Sequence, residues 1–381
     1  MDRVRSLHGE IEHQWIPLSD GTRLSARIWL PEGAEAAPVP AILEAVPYRK
    51  GDANAIDDSV RHPWFAGHGY AAVRVDLRGS GDSEGVLLDE YHPQEQLDCL
   101  EVLRWIAAQP WCTGSVGMMG ISWSGFNSLQ VAAHRPPELK AIITCCSTDD
   151  RYADDVHYLG GLPLAFYLLP WASVMLAYNA RPPDPAVVGD AWRQMWLDRL
   201  EGSPYLAETW LEHQRRDAYW KQGSVCEDYA AIEAAVYVVG GWSDGYTSAA
   251  LRLLEGLRCP RKGLIGPWEH VWPEEGYPGP AIGFLQEALR FWDRNILFSG
   301  KLDENSRVLF VRNIEDRVKA LGTSPFLPDD FALDGDVVHL HLPNGVGRTK
   351  LTSAWFDGRL KTVGTLRNWA TMTKLRGMLE G

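Results

Sequence analysis

The segment Gly120-Ile121-Ser122-Trp123-Ser124-Gly125 constrains the fold of this chain more than any other. It follows a short apolar run, Val116-Gly117-Met118-Met119, and opens a helical pattern from Phe126 to His134. A serine between small residues at a strand-to-helix turn is lifted clear of a sheet with its hydroxyl exposed. The next residue begins the helix, so its backbone N–H is free to meet a developing oxyanion. Glycine stands at 125, and Ser124 holds the place where a second, tightly packed glycine is expected. The segment is also compatible with a plain Gly/Ser-rich turn. Ser124 is a rival nucleophile, disfavoured by its place inside the helix.

Strand-like runs and helical periods alternate around this segment. His13 to Pro17 and Leu24 to Leu30 flank a turn at Ser19-Asp20-Gly21, which predicts a hairpin. Pro40 to Val46, Tyr70 to Val75 and Ala141 to Cys145 read as buried strands. Pro93 to Ala108 reads as a helix with Leu97, Leu100, Leu103 and Ala107 on one face. Non-alternating apolar strands joined by helices predict an α/β fold, with a mostly parallel central sheet covered on both faces. From about 150 to 232 helical, Trp-rich segments replace this pattern, with Trp192, Met195, Trp196 and Leu200 at helical spacing and Pro182-Pro183-Asp184-Pro185 as a break. Strands return at Ala234 to Val239 and Gly263 to Ile265, with helices at Thr247 to Leu257 and Ala281 to Leu297. Beyond 303, Val308 to Val311 and Val337 to Leu342 are strand-like, and Leu366, Trp369, Met372, Leu375 and Leu379 are spaced for a last amphipathic helix.

The net charge of −13 and the lack of a basic, aromatic-interleaved stripe exclude a nucleic-acid binder. Val156 to Ala180 carries no Asp, Glu, Lys or Arg over 25 residues. Gly160, Gly161, Pro163 and Pro170 interrupt it, so it reads as a pair of short buried or pocket-lining helices and not as a membrane span. Six scattered cysteines, Cys99, Cys112, Cys145, Cys146, Cys226 and Cys259, form no Cys-x-x-Cys pair and read as buried free thiols of a reducing, cytoplasmic compartment. No signal peptide is expected from Met1 to His8. Many of the 17 tryptophans fall between 171 and 272, where they either line an aromatic substrate pocket or pack the core.

Catalytic groups of such sheets lie at the carboxyl ends of strands. Ser122 follows one strand, Asp244 lies in Gly240-Gly241-Trp242-Ser243-Asp244-Gly245 after another, and His270 in Gly266-Pro267-Trp268-Glu269-His270 after a third. Serine needs a base to take its proton, and the imidazole needs a carboxylate to fix its tautomer. Ser, Asp and His occur in the order this topology requires. Singly, Asp244 is also a good turn residue, His270 one of 11 histidines, and Glu269 its competitor. After the strand ending at Val46, Pro47 offers no N–H, but the Tyr48 hydroxyl is a suitable oxyanion donor unless it packs under the inserted helices. No dense metal-ligand spacing is present, so neither metal nor cofactor is expected.

Pro47-Tyr48, Asp76-Leu77-Arg78-Gly79-Ser80-Gly81-Asp82-Ser83, Gly120-x-Ser122-Trp123-x-Gly125, Gly241-Trp242-x-Asp244 and Gly266-Pro267-Trp268-x-His270 together resemble the cocaine esterase and Xaa-Pro dipeptidyl-peptidase family of serine hydrolases. The resemblance runs from about residue 10 to 300. It implies an α/β-hydrolase domain over 1–150 and 232–303 with a helical cap inserted at 151–231. It implies Ser122 as nucleophile, Asp244 as orienting carboxylate, His270 as base and acid, and an oxyanion hole from the Tyr48 hydroxyl and the Trp123 N–H. It also implies a closing β-sandwich domain, of which 304–381 would be a partial or divergent, β-containing remnant. The expected substrates are small esters or amides, or short peptides. Asp149, Asp150, Asp154 and Asp155 near the cap are candidates to hold a peptide's ammonium, though helix-capping and solvated-face roles suit them better, and Trp171 and Trp242 are candidates to line the pocket. A truncated, non-catalytic member and a homo-oligomer both stay open.

Overall fold

A computed structural model describes residues 7–52, 54–297, 306–310, 330–334, 337–341, 351 and 365–368. The chain divides into two compact units with the boundary at Leu297.

The first unit is built on an eight-stranded sheet in the order β1-β2-β4-β3-β5-β6-β9-β10. β1 (Leu7–Pro17) and β2 (Arg23–Pro31) form the expected antiparallel hairpin. β2 also pairs antiparallel with β4 (Ala71–Asp76). From β4 onward, β3 (Val39–Val46), β5 (Cys112–Ile121), β6 (Leu139–Cys145), β9 (Ala235–Gly241) and β10 (Arg261–Gly266) run parallel. Every residue of β3, β4 and β9 is buried, which is why these strands read as largely apolar runs, broken only by the paired Glu44 and Arg74 and by Asp76 at the end of β4. α1 (Asn54–Gly67) packs on β4, and α2 (Pro93–Ala107) and α3 (Trp123–Ala133) on β5. The strand β7 (Tyr158–Leu159) forms a two-stranded hairpin with β8 (Leu162–Pro163). α4 (Ala165–Asn179), α5 (Pro185–Val188), α6 (Trp192–Gly202), α7 (Leu206–Glu212) and α8 (Ala218–Lys221) complete the segment inserted between β6 and β9. α9 (Thr247–Gly256) packs on β9, and α10 (Phe284–Trp292) continues into a π turn over Asp293–Leu297.

Three helices depart from the sequence reading. α2 buries Glu95, Gln96, Cys99, Val102, Leu103 and Ile106, while Leu97 is 48% exposed. The helix is turned because Glu95 is drawn in by Trp123 and Asn127, and Asp98 by Arg78. α4 is one helix and not two, since Pro170 falls near its start and withholds a single bond from the Phe166 carbonyl. Among the described residues, no helix is long and apolar enough to cross a membrane. In α6 the buried position is Arg199, whose guanidinium donates to the Gly81 and Ser83 carbonyls, and Leu200 is left 48% exposed.

The second unit holds a four-stranded antiparallel sheet in the order β12-β13-β11-β14. Its strands are β11 (Ser306–Phe310), β12 (Asp330–Asp334), β13 (Val337–His341) and β14 (Thr365–Asn368). β14 pairs with β11, so the amphipathic helix expected around Leu366 is overturned there by strand pairing. The remaining positions of that pattern, Trp369, Met372, Leu375 and Leu379, lie outside the described residues.

Candidate functional site

Ser122 sits between β5 and α3 with φ 59° and ψ −124°, a strained backbone for a residue with a side chain. The turn exists because its neighbours are small. A Cβ on Gly120 would lie 2.0 Å from Ser124 Oγ and 2.4 Å from the Ser124 backbone carbon. A Cβ on Gly125 would lie 3.0 Å from the Cys145 and Gly120 carbonyl oxygens, so close packing falls on 125 and not on 124. Ser124 is buried and its hydroxyl donates to the Ile121 carbonyl at 3.1 Å, a structural position unsuited to a nucleophile. Gly120→Ala is therefore expected to destabilise the protein by about 3 kcal/mol or more, read as a lower urea midpoint at unchanged slope.

Trp123 follows as the first residue of α3. Its indole donates to Glu95 Oε1 at 3.0 Å, and Asn127 Nδ2 donates to the same oxygen at 2.6 Å. Burial pushes the Glu95 carboxyl up to about 8 against those two donors. Glu95 thereby locks the Trp123 side chain, although nothing local in the sequence marks it.

The loops after β9 and β10 are tied together. Trp242 N–H donates to the Gly266 carbonyl at 2.8 Å and Ser243 N–H to the Trp268 carbonyl at 3.1 Å. Gly241 is required there, because a Cβ would stand 1.9 Å from the Trp268 carbonyl oxygen. This tie brings His270 Nδ1 within 2.9 Å of Asp244 Oδ1. The Asp244 side chain is buried and that of His270 is 44% exposed. Burial disfavours the His270 imidazolium, but the hydrogen bond and charge of Asp244 outweigh it and hold its pKa above the ordinary 6.5. Glu269 is exposed, and its N–H donates to the Tyr277 carbonyl.

Ser122 and the Asp244–His270 pair flank the end of β6. Ser122 N–H donates to the Cys145 carbonyl at 2.9 Å, and the Cys146 thiol donates to the Glu269 carbonyl at 3.9 Å, with its sulfur within 4.8 Å of a His270 ring nitrogen. On the other side the half-buried Tyr48 lies beside Ser122, its ring packed edge-on against Trp123. Burial, then the charge of Glu90, raises the Tyr48 pKa well above its usual value, so the phenol stays a donor. The Tyr48 loop is clamped by the Asp76–Ser83 segment. Lys50 N–H donates to Asp76 Oδ1 at 2.7 Å, and the Lys50 ammonium pairs with Asp82 and Asp76. Arg49 reaches the inserted segment at the Pro182 carbonyl, 2.7 Å away.

Of the substrate-contact candidates, Trp171 is brought to the site. Its ring centroid lies 6.0 Å from Tyr48 and 6.5 Å from Trp123. Trp242 is 60% exposed on the loop after β9. Asp154 is held by Thr148 and Arg252, and Asp155 by the Tyr246 hydroxyl and His157. Asp149 and Asp150 are likewise occupied by Arg252 and Arg216. A buried group absent from the sequence reading lies beside Tyr48 and Trp171. His157 Nε2 meets Glu90 Oε2 at 2.5 Å, and Trp171 Nε1 donates to Glu90 Oε1 at 3.1 Å. Burial opposes charge on His157, but the flanking Glu90 and Asp155 raise it to about 9. Half of the eight tryptophans between 171 and 272, namely Trp210, Trp220, Trp268 and Trp272, are buried packing residues. All six cysteines are free, and Cys226 alone is only half-buried.

Among the described residues, two groups of three bring potential metal-ligand atoms within 4.8 Å of one another. In Glu44, Asp58 and His62 the cationic role is already filled by Arg74, which pairs with Glu44 at 3.0 Å and Asp58 at 3.1 Å. The other is Cys146, Asp244 and His270.

The sequence profile described as X-Pro dipeptidyl-peptidase (S15 family) matches residues 20–272. A cocaine esterase of Rhodococcus sp. is 30% identical over 280 residues, covering 67% of this chain and 48% of its own length. A putative Xaa-Pro dipeptidyl-peptidase of Streptomyces avermitilis is 27% identical over 223 residues, covering 47% of this chain and 32% of its own. The chain thus spans about half or less of these curated relatives. A CocE/NonD family hydrolase from Staphylococcus aureus superposes with a TM-score of 0.60 at 21% identity, over 76% of this chain and 50% of that one, and shows the shared α/β-hydrolase fold.

Proposed function

The chain belongs to the X-Pro dipeptidyl-peptidase (S15) family of hydrolases, and from that premise we propose that it is a serine hydrolase acting on esters or amides through Ser122, His270 and Asp244. The observation that carries this reading is the Asp244–His270 hydrogen bond of 2.9 Å at the carboxyl end of the sheet, beside a serine held at φ 59°. Ser122 Oγ attacks the substrate carbonyl carbon while His270 Nε2 takes its proton. Asp244 holds Nδ1 protonated and stabilises the imidazolium. The oxyanion lies between the Tyr48 hydroxyl and the Trp123 N–H. Collapse breaks the bond to the leaving group, which leaves with the proton from His270, and water repeats the sequence on the acyl-enzyme. The helical segment 151–231 acts as the cap, with Trp171 on the acyl side. Six unpaired cysteines favour a reducing, cytoplasmic setting.

Small neutral or aromatic esters are the favoured substrates over dipeptides. A dipeptidyl substrate needs a carboxylate to meet its ammonium. Asp149, Asp150, Asp154 and Asp155 are already paired with cations or hydroxyls, and Glu90 with His157. A benzoyl ester is expected to be turned over faster than a Gly-Pro anilide in one assay, and the reverse order sinks the preference. Tyr48→Phe removes one oxyanion donor while keeping the ring contacts with Trp123 and Trp171. It should lower kcat by about 10²–10³-fold with little change in KM. An unchanged kcat would exclude the hydroxyl from the oxyanion hole.

A further inference from the structure

We propose that Cys146, Asp244 and His270 form an inhibitory site for a soft divalent cation of the Zn²⁺ type, which silences the enzyme by taking its base. One sulfur, one carboxylate oxygen and one imidazole nitrogen lie within 4.8 Å of one another. That donor set suits Zn²⁺, with a fourth position left to water on the exposed side of His270.

Two further observations point to a ligand. Asp244 is buried, and its second oxygen, Oδ2, has no hydrogen-bond partner among the described residues. A buried carboxylate oxygen without a donor is costly, and a cation would satisfy it. Cys146 is also specially placed. It has φ 47° and its N–H donates to the Val239 carbonyl at 3.0 Å; its thiol donates to the Glu269 carbonyl at 3.9 Å and its sulfur accepts from the Cys145 thiol, which turns the sulfur to within 4.8 Å of a His270 ring nitrogen. The proposed acyl-transfer chemistry gives this thiol no role.

Binding moves protons but no electrons. The ion takes the Cys146 thiolate, the Asp244 carboxylate and a neutral imidazole, and the thiol proton leaves to solvent. If Nδ1 is the ligand atom, its proton shifts to Nε2, so the ring stays neutral, Nε2 can no longer accept the serine proton, and Asp244 no longer orients the ring. If Nε2 is the ligand atom, its lone pair cannot accept the serine proton. Either way the base is lost. Inhibition rests on His270 being that base, whereas binding does not.

The test titrates ZnCl₂ into the full chain, by calorimetry and during ester hydrolysis. Wild type, Cys146→Ala and Cys146→Ser are compared in both, each rate being normalised to its own metal-free value, and Ser122→Ala is compared by calorimetry alone. Wild type should bind one ion per chain and lose activity with the same midpoint. Both Cys146 variants should bind at least about 10–100-fold more weakly, the loss typical even of an outer-shell partner. Ser122→Ala should bind zinc as wild type does, so the site is judged apart from the assignment of the nucleophile. Co²⁺ added to wild type should give a thiolate-to-cobalt charge-transfer band, a readout that needs no variant to fold. No zinc binding by wild type, unchanged affinity in both Cys146 variants, or no such band would overturn the proposal.

Discussion

Ser122→Ala is expected to lower kcat for ester hydrolysis by about a million-fold, roughly 8 kcal/mol of barrier, while the protein stays folded. The side chain is half-exposed, and the backbone ties of the elbow do not involve the hydroxyl. Alanine meets the same strained φ of 59° that serine already tolerates. Thermal stability should therefore stay within about 0.5 kcal/mol of wild type. The small remaining rate would come from the oxyanion donors and from binding. Initial rates on a p-nitrophenyl ester, with a melting curve of the same preparation, measure both halves. A variant that keeps full activity removes Ser122 from the mechanism and leaves Ser124 no stronger, because its hydroxyl is buried against Ile121.

Asp244→Asn is expected to cost about 10⁴-fold in kcat, because the amide favours the wrong imidazole tautomer. Its second signature is a displaced pH profile. In the folded protein Asp244 raises the His270 pKa above the ordinary 6.5. The neutral imidazole is the active form, so kcat/KM rises as pH climbs through that raised value. Removing the negative charge favours the neutral ring, and the acidic limb should move to lower pH. The linked stability has the matching sign. The ion pair stabilises the fold fully below the unfolded histidine pKa, and that gain fades as pH rises through the folded value. A rate loss without movement of the limb would mean that another group controls the base. Rates from pH 5 to 10, at substrate concentrations well below KM, separate these outcomes.

Most of the sheet was legible because its strands are buried on both faces, so their apolar runs are local signals. The elbow was legible for a similar reason, since its turn demands small residues within six positions. What escaped the sequence depends on distant partners. Leu97 looks like a core residue until Glu95 is seen turning α2 toward Trp123. Leu200 looks like part of an apolar stripe until Arg199 is seen reaching the carbonyls of Gly81 and Ser83. The Glu90–His157 pair joins residues 67 positions apart. Nothing in either local stretch announces it. Around Leu366 a helical spacing proved weaker than pairing with β11, which only the long-range partner reveals. Asp244 and His270 were each ambiguous alone. The Trp268 carbonyl beside Gly241 explains why they meet.

The proposed chemistry requires Ser122 to be an activated nucleophile in the folded chain. A fluorophosphonate probe followed by peptide mapping measures this most directly. One adduct per chain is expected, on Ser122, formed by native protein, lost on heat denaturation and greatly slowed by His270→Ala. Labelling at Ser124, labelling elsewhere, or no adduct on protein shown to be folded would contradict it.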